Sequence, residues 1–66
     1  MPLNIELIRK LRRARGWTQD EAAHRAGWST RARWNQIETG ERRNPELLTI
    51  EAVSKALGIP TRKLLK

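Results

Sequence analysis

The chain has 66 residues, with 14 Lys and Arg against 7 Asp and Glu, for a formal charge of +7 and a pI near 11.4. It has no cysteine, which excludes a disulfide framework or a thiolate metal site; no apolar run approaches the roughly 20 residues of a membrane span, and the opening MPLNIELIRK has no signal-peptide core. The length implies one small domain over residues 1–66, of a size that buries only about 60% of its unfolded surface, and the dense positive charge points to a polyanion partner.

The first helix spans about Asn4 to Arg15, with Asn4 as N-cap and Gly16 as stop. Its apolar set is Ile5, Leu7, Ile8, Leu11 and Ala14, while Arg9, Lys10, Arg12, Arg13 and Arg15 cover the rest and gather where the macrodipole favours cations. The second helix opens on Thr18-Gln19-Asp20-Glu21, a T-x-x-E capping box with Trp17 as the N′ residue of a hydrophobic staple, and runs to about Ala26 before Gly27. The third starts from Ser29 or Thr30 and runs to Glu38 or Thr39, with Gly40 as its stop. A loop then leads to Pro45, and Asn44 or Thr49 caps a fourth helix in which Leu47, Ile50, Val53 and Leu57 recur until Gly58. A short fifth helix, Thr61 to Leu65, is anchored by Leu64 and Ile59. No stretch alternates apolar and polar residues as a strand does. The fold class is therefore all-α, a compact bundle of about five short helices.

The third helix carries the functional signal. At about 100° per residue, Trp34 and Ile37 set its inward direction, and Ala32, Asn35, Gln36 and Thr39 point away. Arg31 and Arg33 flank that outward face, and Glu38 turns toward the core edge. Asn and Gln pair with adenine N6 and N7, Arg with guanine O6 and N7, and Ala or Thr methyls with the thymine methyl. A capped helix, a glycine turn and a second helix of this length form a helix-turn-helix frame.

The stretches IRKLRRARGWTQDEAA, AGWS, IETGERRNP and LTIEAVSKALGIPTRKLL resemble the phage repressor and Cro family, the XRE-like or lambda-repressor-like helix-turn-helix domains. The resemblance implies a sequence-specific regulator of transcription that lays its third helix, residues 30–39, in the major groove of double-stranded DNA. It also implies a homodimer on an inverted repeat. By the same resemblance Thr30, Arg31, Ala32, Asn35 and Gln36 contact bases, and Gln19 meets a backbone phosphate at the start of the second helix. Arg42 and Arg43 fall among the backbone contacts, joined by Arg33 at the edge of the reading face. Arg12 and Glu38 match a structural pair between the first and third helices. Between Gly27 and Glu38 the chain is one residue longer than the family pattern, which puts the extra residue in the turn near Gly27 to Ser29. The second departure is Ala22, where the family carries a larger aliphatic side chain; Trp17, Trp28 or Trp34 fills that space.

An enzyme is not expected. Asp20, Glu21 and His24 lie close on one helix and read as an exposed polar face, and there is no phosphate-cradling glycine loop. No cofactor, metal or small-molecule effector domain is expected, and the setting is a bacterial cytoplasm, at the nucleoid. The alternative is a protein-interaction module on the same fold, an antitoxin-like partner or a polymerase-contacting coregulator, for which Leu48, Leu65 and Ile5 are the candidate apolar patch. RNA ranks below DNA because the major groove of an A-form duplex is too narrow for a helix.

Overall fold

The structure, a computed structural model, describes residues 3–41 and 45–65. Five helices follow one another in these residues: α1 Ile5–Ala14, α2 Gln19–Arg25, α3 Ala32–Thr39, α4 Leu47–Leu57 and α5 Thr61–Leu64. The only extended pairing among the described residues is an antiparallel bridge between Leu3 and Leu65, beside a bond from the Asn4 N–H to the Leu64 carbonyl at 2.6 Å. It ties the entry of α1 to the exit of α5.

Local chemistry accounts for the first two helices. The Asn4 side chain accepts from the Leu7 N–H, and the Thr18 hydroxyl accepts from the Glu21 N–H at 3.1 Å, so each satisfies an amide that the helix leaves unpaired. The Glu21 carboxylate takes Arg25 at 3.0 Å, one turn on, rather than closing the second half of the capping box. Both helices end alike. Gly16 and Gly27 have φ of +71° and +85°, a region that costs other residues about 1–2 kcal/mol. After Gly27, the Trp28 N–H reaches back to the Ala23 carbonyl at 2.9 Å and the Gly27 N–H to His24 at 3.0 Å, the bond pair of a Schellman stop. Trp17 and Gly16 do the same on Arg12 and Arg13.

Five local expectations need correction. The third helix begins at Ala32 with Arg31 in its N-cap place and no side-chain cap, so neither Ser29 nor Thr30 caps it. Trp28 is held by its bond to Ala23 and by its ring, 6.1 Å from that of Trp34; Ser29, Thr30 and Arg31 are then used to turn the chain. The fourth helix has Glu46 at its N-cap, and Thr49 is buried within the first turn instead of capping it. Asn44, the other candidate, lies outside the described residues. Leu47 is 65% exposed although it begins the apolar series, because the first residue of α4 projects beyond the face that Ile50, Val53 and Leu57 bury. Leu65 leaves α5 to pair with Leu3, and Ala14 is exposed at the end of α1.

The core gathers Leu3, Ile8, Ala22, Ala23, Trp34, Ile37, Ile50, Val53, Leu57 and Leu64. Trp34 is its largest fully buried side chain, and truncating such a residue costs about 3–5 kcal/mol. Trp17 and Trp28 pack at its margin. Each is covered by cations: Arg15 and Arg25 lie 5.5 and 4.4 Å from the Trp17 ring centre, and Arg33 lies 4.9 Å from that of Trp28. The tryptophans are thus core and margin.

Candidate DNA interface

Two buried alanines on α2, Ala22 and Ala23, and two large side chains on α3, Trp34 and Ile37, let these helices meet closely and turn their other faces outward. Small residues on one side and bulky ones on the other interdigitate. The third helix packs on both α1 and α2.

Glu38 joins all three helices. It is 4% exposed, and a buried carboxylate must be paired and hydrogen-bonded. Arg12 grips it with two bonds, Nε to Oε2 at 2.6 Å and a terminal nitrogen to Oε1 at 3.1 Å. The Trp34 indole N–H donates to the same Oε2, and Gln19 Nε2 donates to Oε1 at 3.3 Å. Arg9 lies 3.7 Å from Oε1. Burial alone pushes the Glu38 carboxyl up, but the bonds from Arg12, Trp34 and Gln19, with the Arg12 charge, outweigh it and hold it below its ordinary value.

Above this hub lies the outward face of α3. Ala32, Asn35 and Thr39 are exposed and Gln36 is half-buried. Thr30 and Arg31 are exposed in the turn just before the helix, so they stand at its N-terminal end rather than within it. Asn35 is braced from below: its Nδ2 donates to Gln19 Oε1 at 3.1 Å. Gln19, half-buried at the start of α2, therefore sits between the face of α3 and the buried carboxylate. Its amide still has one N–H beyond those two bonds. Arg33 lies against Trp28, with a terminal nitrogen 3.5 Å from the Thr49 hydroxyl of α4. The Arg31 carbonyl accepts from the Asn35 N–H at 2.9 Å, but its side chain makes no hydrogen bond or ion pair with any described residue, and the guanidinium is available to a ligand. Arg42 and Arg43 lie outside the described residues.

Sequence reasoning missed where much of the arginine goes. Arg9 and Arg12 on α1 and Arg15 at its C-cap recur every third residue, and all three bond to backbone carbonyls elsewhere in the fold. Arg9 donates to the Glu38 carbonyl at 2.9 Å, Arg12 to the Trp17 carbonyl at 2.8 Å, and Arg15 to the Leu57 carbonyl at 2.5 Å. The Glu38 and Leu57 carbonyls lie at the C-terminal ends of α3 and α4, where helices leave acceptors unpaired. The spacing was visible in the sequence, but a cation every third residue reads equally as a solvated stripe. Among the described residues no group of His, Cys, Asp or Glu is arranged to hold a metal ion, and no helix is long and apolar enough to cross a membrane.

With α2, its glycine turn and α3 set in this way, the structure is that of a helix-turn-helix protein. A family model described as helix-turn-helix matches residues 8–64, and the chain belongs to that family, of the XRE/Cro/C1 type, a family of DNA-binding regulators. No curated protein matches the chain closely enough to name a relative.

Proposed function

We propose that the chain is a sequence-specific regulator of transcription that binds double-stranded DNA as a homodimer on an inverted repeat, with α3 in the major groove. The observation that carries this is the outward face of α3 and its N-terminal end, where Asn35 is braced by Gln19 and the Arg31 side chain is left without an internal partner. A braced amide and a free guanidinium are what reading adenine and guanine edges requires. In this reading Thr30, Arg31, Ala32, Asn35 and Gln36 contact bases, while Gln19, Arg33, Arg42 and Arg43 hold the phosphate backbone. The Arg12–Glu38 pair is structural. No catalytic step, metal, cofactor or effector ligand is part of it.

Selection of bound sequences from a random duplex pool at two salt concentrations tests the reading. A common motif, enriched at both, supports it; affinity without a motif, collapsing at high salt, reduces the chain to a non-specific polycation. A second reading, a protein-interaction module, is favoured by Leu47 and Leu48, 65% and 75% exposed at the start of α4. Of the patch expected from sequence, Ile5 and Leu65 are instead partly buried against the core. A chain that enriches no DNA motif but co-purifies stoichiometrically with one protein would favour this second reading.

A further inference from the structure

The hydrogen-bond chain from Asn35 through Gln19 to Glu38 has a direction. An ionised carboxylate only accepts, so Glu38 Oε1, 3.3 Å away, requires Gln19 to face it with its NH2 group. The Gln19 oxygen is then turned toward α3, 3.1 Å from Asn35 Nδ2, and Asn35 must answer as a donor. An amide taken alone can be reversed with almost no change of shape. The carboxylate, gripped by Arg12 and by the Trp34 indole, removes that freedom from both amides.

We propose that Glu38, acting through Gln19, makes Asn35 a reader of adenine that rejects guanine. The inference rests on the role of α3 proposed above. An Asn amide has two N–H groups and one oxygen. In the major groove adenine offers an acceptor, N7, beside a donor, N6, whereas guanine offers two acceptors, N7 and O6. Asn35 gives one N–H to Gln19, which leaves it one donor and one acceptor, the complement of adenine. Against guanine the Asn35 oxygen would meet O6, acceptor to acceptor. Were Gln19 reversed, its NH2 would meet the Asn35 oxygen, both Asn35 N–H groups would be available, and guanine would fit as well. Asn35 touches the base; Gln19 and Glu38 are positioning residues.

The experiment is selection from a random duplex pool, followed by affinities for the enriched duplex and its adenine-to-guanine variants. It is run on the wild-type chain, Gln19→Met and Gln19→Ala, each shown to be folded by circular dichroism. These substitutions remove the intermediate amide and leave the Arg12–Glu38 pair in place; the alanine variant adds nothing that must be packed. The wild type is expected to prefer adenine over guanine at one half-site position by about tenfold or more, the discrimination of a good bidentate contact. In both variants that ratio should fall toward one while the other positions keep their preferences. A variant that binds all sequences more weakly yet keeps the adenine preference would make Gln19 a phosphate contact alone and overturn the inference. So would a wild-type motif with no position that separates adenine from guanine. A wild type that enriches no motif removes the proposed reading of α3, and this inference falls with it.

Discussion

Replacing Arg12 with Ala tests whether the hub beneath the outward face of α3 is structural. The side chain is mostly buried, and the substitution removes both bonds to Glu38 and the bond to the Trp17 carbonyl. Breaking a buried ion pair by deleting one partner costs about 3–5 kcal/mol, because the remaining charge is left uncompensated. Trp34, Gln19 and the nearby Arg9 still face the carboxylate, so the low end applies, about 3 kcal/mol. For a chain of this size that is a fall in Tm on the order of 12–24 °C. Urea denaturation at low temperature, followed by tryptophan fluorescence, measures it directly.

The pH dependence supplies an independent check on sign. In the wild type the Glu38 carboxyl is held below its ordinary value in the folded state. Its contribution is fully present above the unfolded carboxyl pKa and is lost as pH falls through the lower, folded one. In Arg12→Ala the burial that pushes the carboxyl up loses its main opposition, so its folded pKa is expected above the unfolded one. Acid then protonates the stranded carboxylate and relieves the penalty. The stability gap between the two proteins should narrow from pH 7 to about pH 4. The double variant Arg12→Met with Glu38→Leu should cost less than the two single changes summed. A single variant within about 0.5 kcal/mol of wild type, or a gap that widens in acid, would refute the reasoning.

Four further outcomes are expected. Asn35→Ala or Arg31→Ala should cost about 1–3 kcal/mol on the preferred duplex and relax selection at one base position, measured against a scrambled duplex; Arg31→Ala should also weaken non-specific binding somewhat. Arg33→Ala and Arg42→Ala should each weaken all duplexes alike and lower the slope of log affinity against log salt by about one, and a loss confined to one sequence would move the residue to the base contacts. If the exposed Leu47 and Leu48 belong to the dimer, Leu48→Lys should leave the Tm unchanged but shift sedimentation on DNA toward a monomer. Enriched wild-type sites should be inverted repeats with half-site centres about 34 Å, or a multiple, apart; unrepeated sites bound by one chain would remove the dimer.

What could be read from the sequence was written in short-range signals. Asn4 and Thr18 cap the helices they precede, and Gly16, Gly27, Gly40 and Gly58 stop four of them, because both kinds of signal act over a few residues. The inward faces of α1 and α3 followed from a period of 3.6 around Ile8, Trp34 and Ile37. The start of α3 did not follow, because it is determined by where Trp28 is held and not by a capping side chain. Leu47 misled because a helix's first residue can share the period of a buried face and still overhang it. The bonds of Gln19 to Asn35 and Glu38 span sequence separations of 16 and 19 residues. No local pattern encodes them, since a Gln at the start of a helix is equally suited to a phosphate.

The same carboxylate serves both the fold and the site, which divides the expected effects of substitution. Glu38 ties α3 to α1 through Arg12 and Arg9 and to α2 through Gln19, and Asn35 is braced on that second tie. A change at Glu38 must therefore move stability and base choice together, since the charge that holds the helices also fixes the amide polarity. A change at Gln19 leaves the ion pair intact and should move base choice with little loss of stability. A change at Arg31, whose side chain has no described partner, should move binding alone. These three patterns separate only if the reading face is rigidly linked to the hub. Glu38→Gln is the decisive case. A neutral amide there can face Gln19 with either end, so its loss of stability should come with tolerance of guanine at the Asn35 position. If Glu38→Gln stays folded, loses stability and still rejects guanine, the buried carboxylate supports the fold and takes no part in reading.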